Sequence, residues 1–259
     1  MIVSGVRRRQ IELVLTFAVP LLLLALWELL SRTRTIDPRF WPAPSSLLGT
    51  ARAVIEDGSL PANVGVSLTR ILIGFVLGAI PAIIFGLLMG LFWPLRAMLM
   101  PIAAAIYAIP KISIVPLVFL VFGLGETGKY VIVAISIFFL VLLNTMAGVL
   151  AIDPSFKDVA HNLGANPAAL FFTVALPGAL PSIFTGLRLG LGFALVVIVG
   201  TEYIAPNDAG IGNFIYQSWQ TFAMNKLFVG LIVTGLMGWL LSLGLDLLER
   251  LVLPWKPTN

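Results

Sequence analysis

Apolar runs, each about as long as a bilayer crossing, alternate with short polar breaks along almost the whole chain. Roughly 20 apolar residues in helical geometry match the hydrocarbon thickness, so each run predicts a membrane helix. The first covers Ile11 to Leu30, behind Arg7, Arg8 and Arg9. It is too long for the core of a secretory signal, and Ser31-Arg32-Thr33-Arg34 offers no small-residue cleavage site, so it reads as a retained span. Ser31 to Arg70 is polar and proline-bearing, mildly amphipathic around Leu47 to Ile55, and reads as a periplasmic or interfacial segment. Ile71 to Trp93 is a second span, Trp93 to Arg96 a tight turn, and Met98 to Phe122 a third span carrying Pro101, Pro110 and Pro116. Tyr130 to Ile152, Ala179 to Thr201 and Leu227 to Leu245 complete six, with a turn at Pro206-Asn207-Asp208 and a short aromatic helix over Ile211 to Phe222 between the last two. The pattern therefore predicts an all-α integral membrane protein with six transmembrane helices. Its divisions are a cytoplasmic N-terminus (1–10), the first helix (11–30), the interfacial segment (31–70), a transmembrane core (71–251) and a cytoplasmic tail (252–259).

One stretch breaks the greasy pattern. Asp153 to Pro177 is polar and regularly punctuated. Asp153 is suited to cap a helix whose first position is Pro154, where a missing N–H costs nothing. Gly164 ends that helix in a left-handed turn. Asn166 and Pro167 repeat the cap-and-proline signal, and Leu176-Pro177 is expected to close the second helix, since a residue before proline is pushed out of helical geometry. Two short helices joined by a glycine elbow follow, between two spans.

Within the spans, small residues recur every fourth position at Gly74, Gly78, Ala82, Gly86 and Gly90. Such a ladder lets another helix approach closely, and close packing drives association where lipid supplies no hydrophobic force. Lys111, near the middle of the third span, admits two readings: part of a polar pathway or contact to an anionic solute, or a side chain that reaches a headgroup or a carbonyl. Glu202 closes the fifth span, as a pathway lining or a solvated end, and Arg188 is placed to snorkel to an interface.

Composition narrows the function. The chain has 259 residues, 59% hydrophobic and 11% charged, with mean hydropathy +1.04. The net charge of +4 fits basic residues beside anionic headgroups, and no nucleic-acid signal accompanies it. With no Cys and a single His, a buried transition-metal site is not expected, and the nucleophile–base constellation of an intramembrane enzyme is missing. Gly123 to Lys129 contains G-x-G-x-x-G, but no strand precedes it and Gly148 stands where the acidic ribose partner belongs, so it is a loop without a nucleotide site. Charge fixes orientation weakly: with the N-terminus inside, eight basic residues fall at cytoplasmic segments and seven outside. The triple arginine favours N-in, which puts both termini and the 153–177 loop on one side.

The loop resembles the signature of membrane subunits of ATP-binding-cassette importers, the EAA loop: Glu-Ala-Ala, three residues, Gly, nine residues, an aliphatic, any residue, Leu-Pro. Asp158-Val159-Ala160, Gly164, Val174, Leu176 and Pro177 keep every spacing, with Asp for Glu and Val for the first Ala. Shorter matches follow in order. Ser67-Leu68-Thr69-Arg70, Ile109-Pro110, Val115-Pro116-Leu117, Phe122-Gly123-Leu124-Gly125 and Thr185-Gly186-Leu187-Arg188 are similar to runs of the nitrate, sulfonate and taurine branch.

The resemblance implies the type I importer permease fold, with Asp158, Val159, Ala160, His161, Gly164, Val174, Leu176 and Pro177 coupling to an ATPase subunit. It implies two such ATPase subunits, which bind ATP and Mg, a second permease copy in a homodimer, and a periplasmic or lipid-anchored solute-binding protein, all at a bacterial inner membrane. This chain itself would be no enzyme and hold no cofactor. The same loop could instead be an amphipathic interfacial hairpin that merely joins two spans. A secondary transporter or channel that needs no ATPase is the competing class; it calls for carboxylates at the centres of spans and an internal repeat, and neither is found.

Overall fold

The computed structural model describes residues 5–204 and 209–255, without the side chains of 5–13 and Lys157. The side chains of Arg7, Arg8 and Arg9, the turn at 206–208 and the end of the tail lie outside the described residues. Among those described, every regular element is helical: α1 (Gly5–Arg32), α2 (Pro44–Glu56), α3 (Ser59–Leu91), α4 (Trp93–Ala108), α5 (Val115–Phe122), α6 (Glu126–Leu150), α7 (Pro154–Asn162), α8 (Pro167–Leu170), α9 (Leu176–Ile204), α10 (Ile211–Gln220) and α11 (Met224–Val252). Five helical stretches are long and apolar enough to cross a membrane, and the bent pair Trp93–Ala108 with Lys111–Phe122 makes a sixth if taken as one span.

The described chain forms two compact units. The first holds residues 1–61 and 214–232. Here α2 opens on Pro44 without a side-chain cap of its own. The Glu28 carboxylate of α1 does that work instead, accepting the Ser45 N–H at 2.9 Å and the Ser45 hydroxyl at 2.7 Å while Arg32 pairs with it. Trp27 and Trp41 set their rings 5.4 and 5.8 Å from that of Phe228.

The second unit holds residues 62–213 and 233–259, and α6 is its centre. The small-residue ladder of α3 lies against α6. A Cβ added at Gly74 would sit 2.6 Å from the Val133 Cβ, and one at Gly86 2.6 Å from the Thr145 Cβ. Ala82 is fully buried between them. On its other side α6 meets α9, where Gly148 faces Ser182 and Gly186 faces Asn144. The helix that the ladder meets is thus α6.

Several boundaries differ from the sequence pattern. The second span starts at Ser59, not Ile71, because Asn63, Ser67 and Arg70 are polar yet helical, each with a partner inside the protein. Trp93 to Arg96 is no separate turn: the break is at Phe92, in extended geometry, and α4 begins at Trp93 with proline in its first turn. The third span is broken by 89°, because Pro110 bars Ile109 from helical geometry; Ile109 has φ −71° and ψ 126°. Pro177 does not close the second helix of the loop. A π-helical turn over Phe171–Ala175 widens the ladder just ahead of the proline, and α8 runs through it into α9. The sixth span does not end at Leu245: α11 runs on to Val252, with Asp246 inside it.

Candidate functional site

The polar loop is built from local signals. Asp153 accepts the Ser155 N–H at 2.9 Å and Pro154 takes the first turn of α7. That bond, with the Ser155 side chain, holds the Asp153 carboxyl below the usual range. A depressed carboxylate contributes its stability above its unfolded pKa and loses it only as pH falls through the lower folded value, so the cap is intact around neutrality. At the other end Gly164 adopts φ +77°. Its N–H reaches the His161 carbonyl at 3.0 Å and the Ala165 N–H reaches that of Ala160 at 2.9 Å, the pairing that satisfies the last carbonyls of a helix. Asn166 caps α8 by accepting the Ala169 N–H at 2.8 Å.

The large apolar side chains of α7 and its C-terminal cap point outward. Phe156, Val159 and Leu163 are 64%, 57% and 82% exposed, and their spacing of three and then four residues puts them on one helix face. Of the other loop residues singled out by sequence, Asp158, His161 and Gly164 are exposed, while Ala160, Val174, Leu176 and Pro177 are half-buried. Open space surrounds the Gly164 Cα, so only backbone strain opposes a side chain there. Gly164→Asn should leave the cap intact. Gly164→Val should cost about 1–2 kcal/mol and raise amide exchange at 160–163, read by hydrogen–deuterium exchange; equal exchange in the two variants would contradict the cap's role.

Charges within the spans form separate clusters. At the α3–α6–α9 junction, the buried Glu202 carboxylate takes the Ser67 hydroxyl at 2.7 Å, the Arg70 Nη1 at 2.8 Å and the Gly212 N–H at 2.8 Å. The Arg70 guanidinium, also buried, turns its other edge to Glu126, at 2.8 Å from Nε and 2.5 Å from Nη2, and donates to the Ala209 carbonyl. Ser67 Oγ receives the Ile211 N–H and Asn63 Oδ1 the Gly210 N–H. Glu202 and Ser67 together therefore cap the start of α10. Lys129, fully buried, adds its ammonium 3.5 Å from Glu126. Toward the far end of α11, Arg188 Nη2 pairs with Asp246 at 2.5 Å and Glu249 at 2.6 Å.

Sequence reasoning named Glu202 but missed its partners, since it counted Arg70 and Lys129 as charges outside the membrane. The available signals were the Ser67…Arg70 and Glu126…Lys129 spacings, each putting two polar groups on one helix face. Glu202 neither lines an open passage nor ends in solvent within this chain; it is consumed by internal bonds.

Bundled apolar helices with a capped loop between two of them have the build of a multi-pass membrane protein. Residues 82–256 match the family described as binding-protein-dependent transport system inner membrane component. The chain belongs to that family, as an ABC importer permease subunit of the nitrate, sulfonate and taurine branch. It is 32% identical over 249 residues to the taurine transport system permease protein TauC of Escherichia coli (strain K12), covering 94% of this chain and 90% of that protein. Identity is 30% over 238 residues to the putative aliphatic sulfonates transport permease protein SsuC of Bacillus subtilis (strain 168), 92% and 86% of the two chains. It is 27% over 241 residues to the nitrate import permease protein NrtB of Synechocystis, 90% and 86%.

Proposed function

We propose that this permease works as a homodimer on two ATPase subunits, which bind the ATP and Mg, and takes a small anionic solute from a periplasmic or lipid-anchored binding protein. The solute class is that named for the relatives: a sulfonate such as taurine, or nitrate. Residues 1–10 and the tail after Val252 lie in the cytoplasm, the segment from 31 to 58 at the outer surface, and the membrane core that opens at Ser59 carries the loop on the inner side. Asp158 to Pro177 then faces the ATPase.

One observation carries this reading: an apolar stripe of Phe156, Val159 and Leu163 stands exposed on an otherwise polar, doubly capped helix. Water-facing residues of this size cost free energy unless a partner covers them. A groove in an ATPase is such a partner, and a helix fixed at both ends transmits a push without fraying. When ATP closes the ATPase pair, α7 moves with it. Because α8 runs through the π-helical turn into α9, the displacement reaches a span directly.

The test is a pull-down of the tagged permease from native membranes. Phe156→Asp with Leu163→Asp should lose more than nine tenths of the co-purified ATPase while the permease keeps its yield and melting temperature. Full ATPase recovery by that variant would sink the proposal.

A further inference from the structure

Lys111 sits at the 89° break between α4 and α5 and is only 6% exposed. Its Nζ donates to three carbonyls, those of Ile106 at 2.7 Å, Tyr107 at 3.1 Å and Ile109 at 2.8 Å. Three acceptors require three protons, which an ammonium has and a neutral amine lacks. The charge is therefore present. It lies at the carbonyl end of a 16-residue helix, about 24 Å from the helix start, where the helix dipole favours a cation.

The other charged clusters described in the spans contain their own opposite charges. Arg70 and Lys129 meet Glu126 and Glu202; Arg188 meets Asp246 and Glu249. Lys111 has no carboxylate partner among the described residues. Carbonyl dipoles satisfy its protons and the helix end offsets about half a unit charge, which leaves the rest of the positive charge without a carboxylate to answer it. The residues beside it, Tyr107, Ile109 and Ile112, are exposed, so the field reaches the surface of the protomer through a thin apolar layer.

We infer that Lys111 is a specificity-determining charge of the translocation pathway: it favours an anionic solute through its field, without spending a hydrogen bond on it. This rests on the proposed reading of the solute as a small anion. A passing anion meets no competing donor to hold it, so it is attracted without being trapped. A unit charge about 8 Å away at an effective dielectric near 20 changes anion affinity roughly thirtyfold.

The test compares two isosteric probes, ethanesulfonate and the neutral ethanesulfonamide. Their binding to the full permease–ATPase complex in nanodiscs, without the soluble binding protein, is read by saturation-transfer NMR. The wild type and Lys111→Arg should prefer the sulfonate. Lys111→Gln keeps donors but not charge and should lose that preference, roughly thirtyfold, with an unchanged melting temperature. Should Lys111→Gln misfold, Tyr107→Glu keeps the lysine and its carbonyl bonds but supplies a carboxylate beside it. Tyr107→Glu should abolish the preference and Tyr107→Gln should not. Undiminished preference in Lys111→Gln or in Tyr107→Glu overturns the inference and leaves the anion reading standing. A wild type that binds neither probe, or both equally, overturns the anion reading and the inference with it.

Discussion

Arg70→Ala is expected to stop this protein from accumulating as a folded permease. The guanidinium is 1% exposed and the Glu202 carboxylate it meets is fully buried. Removing the arginine leaves that carboxylate with one hydroxyl, one N–H and only the more distant Lys129 ammonium as counter-charge. Breaking a buried pair from one side costs about 3–5 kcal/mol, a large part of the stability of an ordinary domain. The loss spreads, because Glu202 and Ser67 hold the N–H groups of Gly212 and Ile211. Glu202→Gln is milder, since Arg70 retains Glu126 and the Ala209 carbonyl. Replacing both charges, Arg70→Met with Glu202→Met, should recover part of what Arg70→Ala loses, because no ion is then stranded. Thermal melting followed by fluorescence-detected size exclusion orders the three. If Arg70→Ala melts with the wild type, the pair contributes no stability and Glu202 must be neutral or hydrated.

The same network marks the limit of what the sequence could tell. Apolar runs are local, so the spans were legible from their length alone, and so was the loop: Asp153, Pro154, Gly164 and Asn166 act on backbone groups within a few residues. Arg70 and Glu202 are 132 positions apart, and nothing local distinguishes a charge that finds a buried partner from one that faces water. That is why the second span seemed to start at Ile71, when Ser59 opens the helix. Lys111 lay between: the prolines beside it announced a break, and a lysine reaching a carbonyl was one of its two readings, but the number of carbonyls and the missing counter-charge are three-dimensional facts. The local rule that a residue before proline leaves the helix fails at Pro177, because a π-helical turn over Phe171–Ala175 lies just ahead of it.

The ladder on α3 tests packing rather than charge. Gly78→Val together with Gly86→Val should lower the melting temperature more than any other apolar change in the bundle. A Cβ at Gly78 would lie 2.5 Å from the Ala134 carbonyl, and one at Gly86 2.7 Å from the Leu142 carbonyl. Both obstacles are backbone, which cannot swing aside, so α3 and α6 must separate. Overpacking of this kind costs about 1–3 kcal/mol per site, and separation also opens the cluster of Ala82, Met89, Val141, Leu142 and Met146. Gly192→Val is the control: it lies in α9 with nothing within 4 Å of the added Cβ, so it should melt within about 1 kcal/mol of the wild type. Small-residue ladders in membrane helices often join separate chains, yet here the ladder is spent inside one protomer. The double variant should therefore lose stability before it loses any self-association, with melting and cross-linking measured on the same sample. A variant that fell to monomers while keeping its melting temperature would place the ladder at a seam between copies and overturn its packing on α6.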